Sequence, residues 1–549
     1  MATHEVVNQP PPFTSYDLLA SDPALVTALE RWADGEVADV ADLARIAAQP
    51  QAATWADQAD RNPPVLRTHD RVGNRVDEVD YHPAYHDLMT TAVAHGLTAE
   101  PWTLPRDRGA HVRRAAGFYL WSQVENGHLC PVSMTYAAAP ALRHTSEVAA
   151  AWVPKLASRT YDPVLAPIAA KASAIAGMGM TEKQGGSDVR ANTTSATPDP
   201  AGPLGPGSHI LRGHKWFCSA PMSDAFLILG QSPDGLSCFL LPRVLPDGAR
   251  NAFALQRLKD KLGNRSNASS EVEFDGSWAL LVGHPGRGVR TIIDMVAATR
   301  LDCILGSAAT MRQALLRAVH HTTHRRAFGA TLVDQPLMRN VLADLALESE
   351  AATLLALRLA HAVDAGESDF ARLGVAIGKF WVCKRTTPMV AEALECLGGL
   401  GYVEENGLAR LYREAPLNSI WEGSGNVNAL DVVRAMTREP ACVAALVKEC
   451  TQARGSFVVL DEAIDAIEPL AASSYAADAP LLARSLVERV AVTLQAALLV
   501  RWAPQEVAEA FVASRLGGGH GVTFGTLIPD TVIRAAGTLI ERSTPRPAA

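Results

Sequence analysis

The chain has 549 residues, 48% of them hydrophobic, and a formal charge of −8 from 50 basic and 58 acidic side chains. That length accommodates several domains, each with enough apolar residues for its own core. The acidic balance excludes a global positive field that would draw in nucleic acid or an anionic membrane without a local patch. Aromatic residues make up 6% while Ala, Leu and Arg recur throughout, a composition that favours helix. The eight cysteines are scattered with no CxxC pair, which fits reduced thiols. MATHEVVNQPPPF lacks the basic and apolar segments of a leader, and no apolar run reaches the roughly 20 residues of a bilayer span. A cytoplasmic protein with no membrane partner is expected.

In chain order, residues 1–174 read as a helical domain whose periodic stretches, such as HVRRAAGFYLWSQVENGHL and HTSEVAAAWVPKLA, are broken at the prolines near Asn62-Pro63-Pro64 and around Pro140. Over 175–285 the texture changes to short β-type runs (HILRGHKWFCSA, AFLILGQ, LSCFLLP, SSEVEFDG) separated by turn-rich pieces, which predicts a sheet domain. Long amphipathic helices return over 286–436 and predict a helical bundle. Residues 437–549 form a further helical extension with Gly517-Gly518-Gly519-His520-Gly521 as a loop.

Several short motifs bear on chemistry. GMGMTEKQGGSDV (177–189) joins glycines, which let a backbone approach a ligand, to the hydroxyls of Thr181 and Ser187. GHKWFCS (213–219) reads as a strand with an aromatic pair, suited either to core packing or to a flat cofactor. No GxGxxG follows a strand, so a Rossmann-type dinucleotide site has no support. His320 and His324 have the i, i+4 spacing of a metal pair but lack a third ligand nearby, and no metal is assigned. In RRAFG (325–329), Arg325 or Arg326 could reach a phosphate with its guanidinium fork. LNSIWEGSGNVN (417–428) sets one carboxylate, Glu422, between Ile420-Trp421 and Gly423-Ser424-Gly425.

Taken in order, GMGMTEKQGGSD, GHKWFCS, RRAFG, LECLGGLGY and SIWEGSGN resemble the successive signatures of the acyl-CoA dehydrogenase superfamily, over roughly residues 80–436. The NQP segment at 8–10, LKDKLGNRSNAS (258–269) and the C-terminal extension resemble its adaptive-response, alkylation-protection branch more specifically. The resemblance implies a mainly α fold with a central β domain: a helical N-terminal domain, a β-barrel-like middle domain and a C-terminal helical bundle, here with an extra helical domain. It implies FAD as cofactor, held by Met178, Met180, Thr181, Gly186 and Ser187, with Phe217, Cys218 and Ser219 along the neighbouring strand. Arg325, Phe328 and Gly399 match residues that reach a second subunit's flavin, and Trp421, Ser424 and Asn426 match the segment beside the flavin and its phosphates. Glu422 matches the family's catalytic base, an assignment that suits removal of an α-proton while a β-hydride leaves. Ile420 and Trp421 are expected to limit water around that carboxylate.

Lys183 and Gln184 stand where the family usually has proline and glycine, Ala297 where an acid often precedes Arg300, and Glu395 where a glutamine is common, which alters the pocket lip and coenzyme A recognition. Arg300, Arg434 and Arg515 are expected on the substrate side. The resemblance also implies a homo-oligomer, expected to be a tetramer, and links the protein to protection of DNA from alkylation, with duplex DNA contacted through the extension. The composition of 437–549, ten basic against twelve acidic residues, points instead to a helical element that supports oligomerisation. The expected activity is a weak or altered acyl-CoA dehydrogenase; the alternative is an ordinary short- or branched-chain enzyme whose extension only supports assembly.

Overall fold

The computed structural model describes residues 3–33, 35, 37–105 and 108–548. Its first helices are α1 (Pro23–Trp32), α2 (Ala38–Ala47), α3 (Pro50–Arg61), α4 (Pro83–Ala94), α5 (Ala110–Ser122), α6 (Leu129–Leu142) and α7 (Ser146–Leu156). The long helices α8 (Gly288–His324), α9 (Pro336–Asp364) and α10 (Ser368–Glu395) follow, then α11 (Leu408–Glu414) and α12 (Gly425–Arg438). The extension contributes α13 (Pro440–Thr451), α14 (Val458–Asp465), α15 (Ile467–Ser473), α16 (Ala479–Trp502), α17 (Gln505–Phe511) and α18 (Pro529–Glu541). The chain divides into two compact units, one of residues 51–105 and 124–299, the other of 1–50, 106–123 and 300–549.

The first of these units is built on strands. β1 (Tyr16–Asp17) belongs to the other unit; β2 (Val65–His69) and β3 (Arg75–Asp80) form a hairpin, and β4 (Ala176–Gly179), β5 (Ser195–Pro198), β6 (Ser208–Ser219), β7 (Ala225–Ser232), β8 (Gly235–Pro242), β9 (Ala254–Leu258) and β10 (Ser269–Val282) make one sheet. Its order is β4-β7-β5-β6-β10-β8, with β9 on β10 and a further β7–β8 pairing that closes the sheet on itself. β7 explains its central place: AFLILG is buried throughout, as a strand covered on both faces must be. The 14-residue β10 bends through two register shifts, the second at Gly276 with φ 83°. Leu211, Phe226, Ile228, Phe239, Val272 and Phe274 fill the core inside.

The hairpin β2–β3 corrects the all-helical reading of 1–174. VLRTH and RVDEVD are short, and what fixes them is the turn between: the Asp70 carboxylate accepts from Val72 N, Asn74 N and Asn74 Nδ2, each at 2.9 Å, beside Gly73 at φ 93°.

In the other unit, Pro23 opens α1 behind Asp22, whose carboxylate caps Leu25 N at 3.2 Å. Every residue of α9 from 342 to 360 is buried, so this helix is the axis of the bundle. α5, α10, α16 and α18 pack on it, and α12 packs on α10 and α16. The charges buried on α9 are matched by the extension: Asp344 and Glu348 by Arg515, Glu350 by Arg542, and Arg358 by Glu449. Residues after 436 therefore complete this unit's polar interior. A short pairing of β1 with Arg546–Pro547 joins the chain's two ends, a contact no local pattern announces. Among the described residues, no helix is long and apolar enough to cross a membrane.

Candidate active site

The segment between the short helical turn Leu417–Ser419 and α12 carries Glu422. Glu422 has φ 57°, the left-handed region, followed by Gly423 at φ 94°. For a residue with a Cβ this conformation costs about 1–2 kcal/mol, so the surroundings must impose it. They do so through the backbone carbonyls. Lys379 of α10, 1% exposed, donates from Nζ to Trp421 O at 2.7 Å and to Gly423 O at 2.6 Å. Arg300 of α8 donates from Nε to Glu422 O at 3.0 Å, and Asn428 Nδ2 adds a bond to Gly423 O at 2.5 Å. Charge-assisted bonds of this kind contribute roughly 1.5–3 kcal/mol each, enough to offset the strain. Arg300 is itself held by Asp431 at 2.7 Å, to which Arg372 also bonds at 3.0 Å. Burial alone pushes the Asp431 carboxyl up, but the two guanidinium groups outweigh it and hold it below its usual range.

Around the acid, Trp421 is half-buried with its indole N–H on Asn418 Oδ1 at 2.9 Å, whereas Ile420 is 63% exposed. Ile420 therefore faces outward in the single chain, contrary to the expectation that it shields the carboxylate. Ser424 precedes α12 without a side-chain cap bond, and Ser424 and Asn426 are both exposed. The hydroxyl, the amide side chain and the unpaired amides of the helix's first turn form a donor set of the kind that binds phosphate oxygens.

In the strand-rich unit, Met178 of β4 and Met180 just after it are partly exposed, and the strand leads into the loop of Thr181, Gly186 and Ser187. A Cβ at Gly186 would meet Thr181 Oγ1 at 2.3 Å, so this loop closes on itself only with glycine there. Its anchor is Glu182, which the motif reading did not single out. The carboxylate, 0% exposed, accepts from Thr193 N (2.7 Å), Thr193 Oγ1 (2.9 Å), Thr194 N (3.0 Å), Thr194 Oγ1 (2.6 Å) and Lys215 Nζ (2.8 Å). Burial alone pushes the Glu182 carboxyl up, but Lys215 and the threonine donors prevail and hold it well below the carboxylate range. The sequence signal was the Lys215 of GHKW opposite the Glu of TEKQ, a pair that only folding brings together. Along β6, Phe217 is half exposed, Ser219 lies 3.3 Å from Ser269 Oγ, and Cys218 turns its thiol into the closed core, so only its backbone can face a ligand.

The remaining residues fall into two groups. Arg325 bonds Asn8 O at 2.6 Å, and Asn8 also brackets Arg326 through its side chain (2.8 and 2.9 Å), so the NQP segment supports the RRAFG turn. Phe328 at its tip is 99% exposed with φ 51°, and Gly399 is exposed with nothing within 4 Å of an added Cβ. The three arginines expected on the substrate side behave differently. Arg300 is 9% exposed and supports the Glu422 loop through its bond to Glu422 O. Arg515 lies buried against α9, bonded to Asp344 at 2.5 Å. Arg434 stays exposed, 3.7 Å from Asp431. His320 bonds Pro11 O at 2.9 Å and packs its ring against Phe13 and His324.

Three family profiles match consecutive parts of the chain: the adaptive response protein AidB N-terminal domain over residues 8–163, the acyl-CoA dehydrogenase middle domain over 177–277 and the acyl-CoA dehydrogenase C-terminal domain over 286–437. The chain belongs to the acyl-CoA dehydrogenase family, FAD-dependent oxidoreductases acting on CH–CH bonds. It is 43% identical to the acyl-CoA dehydrogenase-type protein AidB of Escherichia coli K12, over 97% of this chain and 98% of that one. Among solved structures, the apo form of Bd2924 superposes with a TM-score of 0.81 at 27% identity, covering 90% of this chain and 99% of its own. ACDH-11 of Caenorhabditis elegans in complex with C11-CoA has the same TM-score at 25% identity, over 99% of this chain and 93% of its own.

Proposed function

We propose that the chain dehydrogenates an acyl thioester with Glu422 as the base. FAD, when bound, supplies the acceptor for the β-hydride. Glu422 takes the α-proton onto its carboxylate, and the C–H electrons left behind form the new double bond as the hydride departs. Trp421 covers one side of the acid. Ser424, Asn426 and the first-turn amides of α12 hold phosphate oxygens, while Thr181, Ser187 and the glycines of the 177–189 loop offer hydroxyls and backbone to the cofactor's polar parts. The observation that carries this reading is the strained conformation of Glu422, fixed through its own and its neighbours' carbonyls: strain maintained by buried cations is a mark of functional positions. Titrating FAD-loaded protein anaerobically with butanoyl-, isobutanoyl- and octanoyl-CoA tests it. Loss of oxidised-flavin absorbance with at least one ester is expected; a spectrum unchanged by all three contradicts it. Rapid bleaching by the short or branched esters would favour the ordinary-enzyme alternative.

The exposed Phe328 and Gly399, with the partly exposed Arg325, support a homo-oligomer, with a tetramer as the proposed state, in which these residues face the cofactor of a second copy. Sedimentation of the Phe328→Asp variant tests this, and an unchanged oligomer would count against it. The second reading, a DNA-protective role with duplex contact through 437–549, is carried by the resemblance to the adaptive-response branch. Of that segment's cations, Arg454, Arg501, Arg515 and Arg542 are paired within the chain, so duplex contact would fall to Arg438, Lys448, Arg484, Arg489, Arg534 and Arg546. Phosphate contacts require affinity to fall steeply with salt; absence of binding at low salt removes the reading.

A further inference from the structure

The reading of Glu422 as base leaves open which of the cations bonded to its loop aims the acid. α10 carries Lys379 inside the run Leu373–Phe380, every member of which is buried. A lysine in so apolar a stretch is unusual, because its ammonium must find partners to remain charged there. Its bonds go to Trp421 O at 2.7 Å and Gly423 O at 2.6 Å, the two carbonyls on either side of Glu422. Those carbonyls converge on one ammonium while the carbonyl between them is taken by Arg300, a pattern that requires the chain to turn over at Glu422, where φ is 57°. The two cations are not equivalent. Arg300 is tied to Asp431, whereas the bonds of Lys379 go to the loop itself.

We infer that Lys379 is a positioning residue for the chemistry at Glu422, its ammonium clamping the two flanking peptide carbonyls so that the acid's backbone stays left-handed and its carboxylate is aimed before substrate arrives. This rests on Glu422 being the base, but the clamp is a separate claim about backbone geometry. Without the ammonium, the carbonyls of Trp421 and Gly423 lose their shared partner and Glu422 is free to return to an ordinary φ. Displacement of a reacting group by about an ångström costs on the order of 100-fold in rate. Because Lys379 touches the loop and not the substrate, the loss belongs in the rate of the chemical step, with little change in half-saturation.

The test uses the full-length FAD-loaded protein with Lys379→Met, which keeps the stem and removes the donors, and Lys379→Gln, which retains two N–H donors without charge, should the first fail to fold. Two readouts are combined: a crystal structure of the variant, and the rate and half-saturation of flavin bleaching with whichever of butanoyl-, isobutanoyl- and octanoyl-CoA bleaches the parent protein fastest. The expected result is flavin content unchanged, Glu422 relaxed to negative φ, and a bleaching rate lower by about 100-fold at nearly constant half-saturation. Glu422 keeping its left-handed backbone in the variant overturns the clamp. A relaxed loop with an unchanged bleaching rate overturns its role in the chemistry. If the parent bleaches with none of the esters, the base reading fails, and the crystal structure alone decides whether Lys379 holds the loop.

Discussion

Two glutamates sit in similar company in this chain, Glu182 in TEKQGGSD and Glu422 in WEGSGN, each near glycines and a serine. The protein uses them in opposite ways. At Glu182 the carboxylate is the anchored group, surrounded by Thr193, Thr194 and Lys215 and sealed from solvent. At Glu422 the backbone is held at successive carbonyls by Lys379 and Arg300, and the residue keeps partial exposure. Fixing a carboxylate by its oxygens makes a structural pin, whereas fixing the peptide on both sides orients the side chain for work. The neighbouring letters do not distinguish these roles; the position of the buried cation does.

The comparison breaks most visibly if the roles are exchanged. Glu422→Gln is expected to lower the acyl-CoA bleaching rate by about 10³-fold, within the range for loss of a general base, while FAD remains bound and the urea-unfolding free energy moves by less than about 1 kcal/mol. Glu182→Ala should do the reverse in kind. Removing one partner of a buried ion pair leaves Lys215 uncompensated, and urea unfolding should show a loss of about 3–5 kcal/mol. Acid sharpens the same contrast. The folded-state pKa of Glu182 lies below the unfolded value of about 4.3, so its stabilisation is complete above that value and disappears as pH falls through the lower, folded one. Stability of the parent protein measured from about pH 5 downward should fall more steeply than that of Glu182→Gln. At the small end, Lys183→Ala, next door to Glu182 but exposed and 3.9 Å from Glu273, should change stability by no more than about 0.5 kcal/mol by thermal unfolding. A larger loss there would mean that the loop depends on more than its buried anchor.

The sequence made the long elements legible for a physical reason. α8, α9 and α10 carry apolar residues over many turns, and AFLILG of β7 is an unbroken apolar run, so pattern and length suffice. The β2–β3 hairpin was illegible because its strands are short and its specificity sits in the carboxylate of Asp70. The motifs singled out Glu422, Ser424, Thr181 and Ser187 as candidates, since each lies in one contiguous stretch. What they did not reveal were the supports that act across sequence: Lys379 on α10, Lys215 on β6, and Asn8 beneath the RRAFG turn. The partner of Arg515 was hidden for the same reason. Its charge is free in the sequence, and only the fold shows that Asp344, buried on α9, claims it.

Anaerobic titration of the parent protein and Glu422→Gln side by side, both loaded with FAD and given the same acyl-CoA ester, tests the central claim most directly. Bleaching about 10³-fold slower in the variant than in the parent, at equal flavin content, is the predicted result. Equal bleaching in both would contradict the claim and assign the proton transfer to another residue.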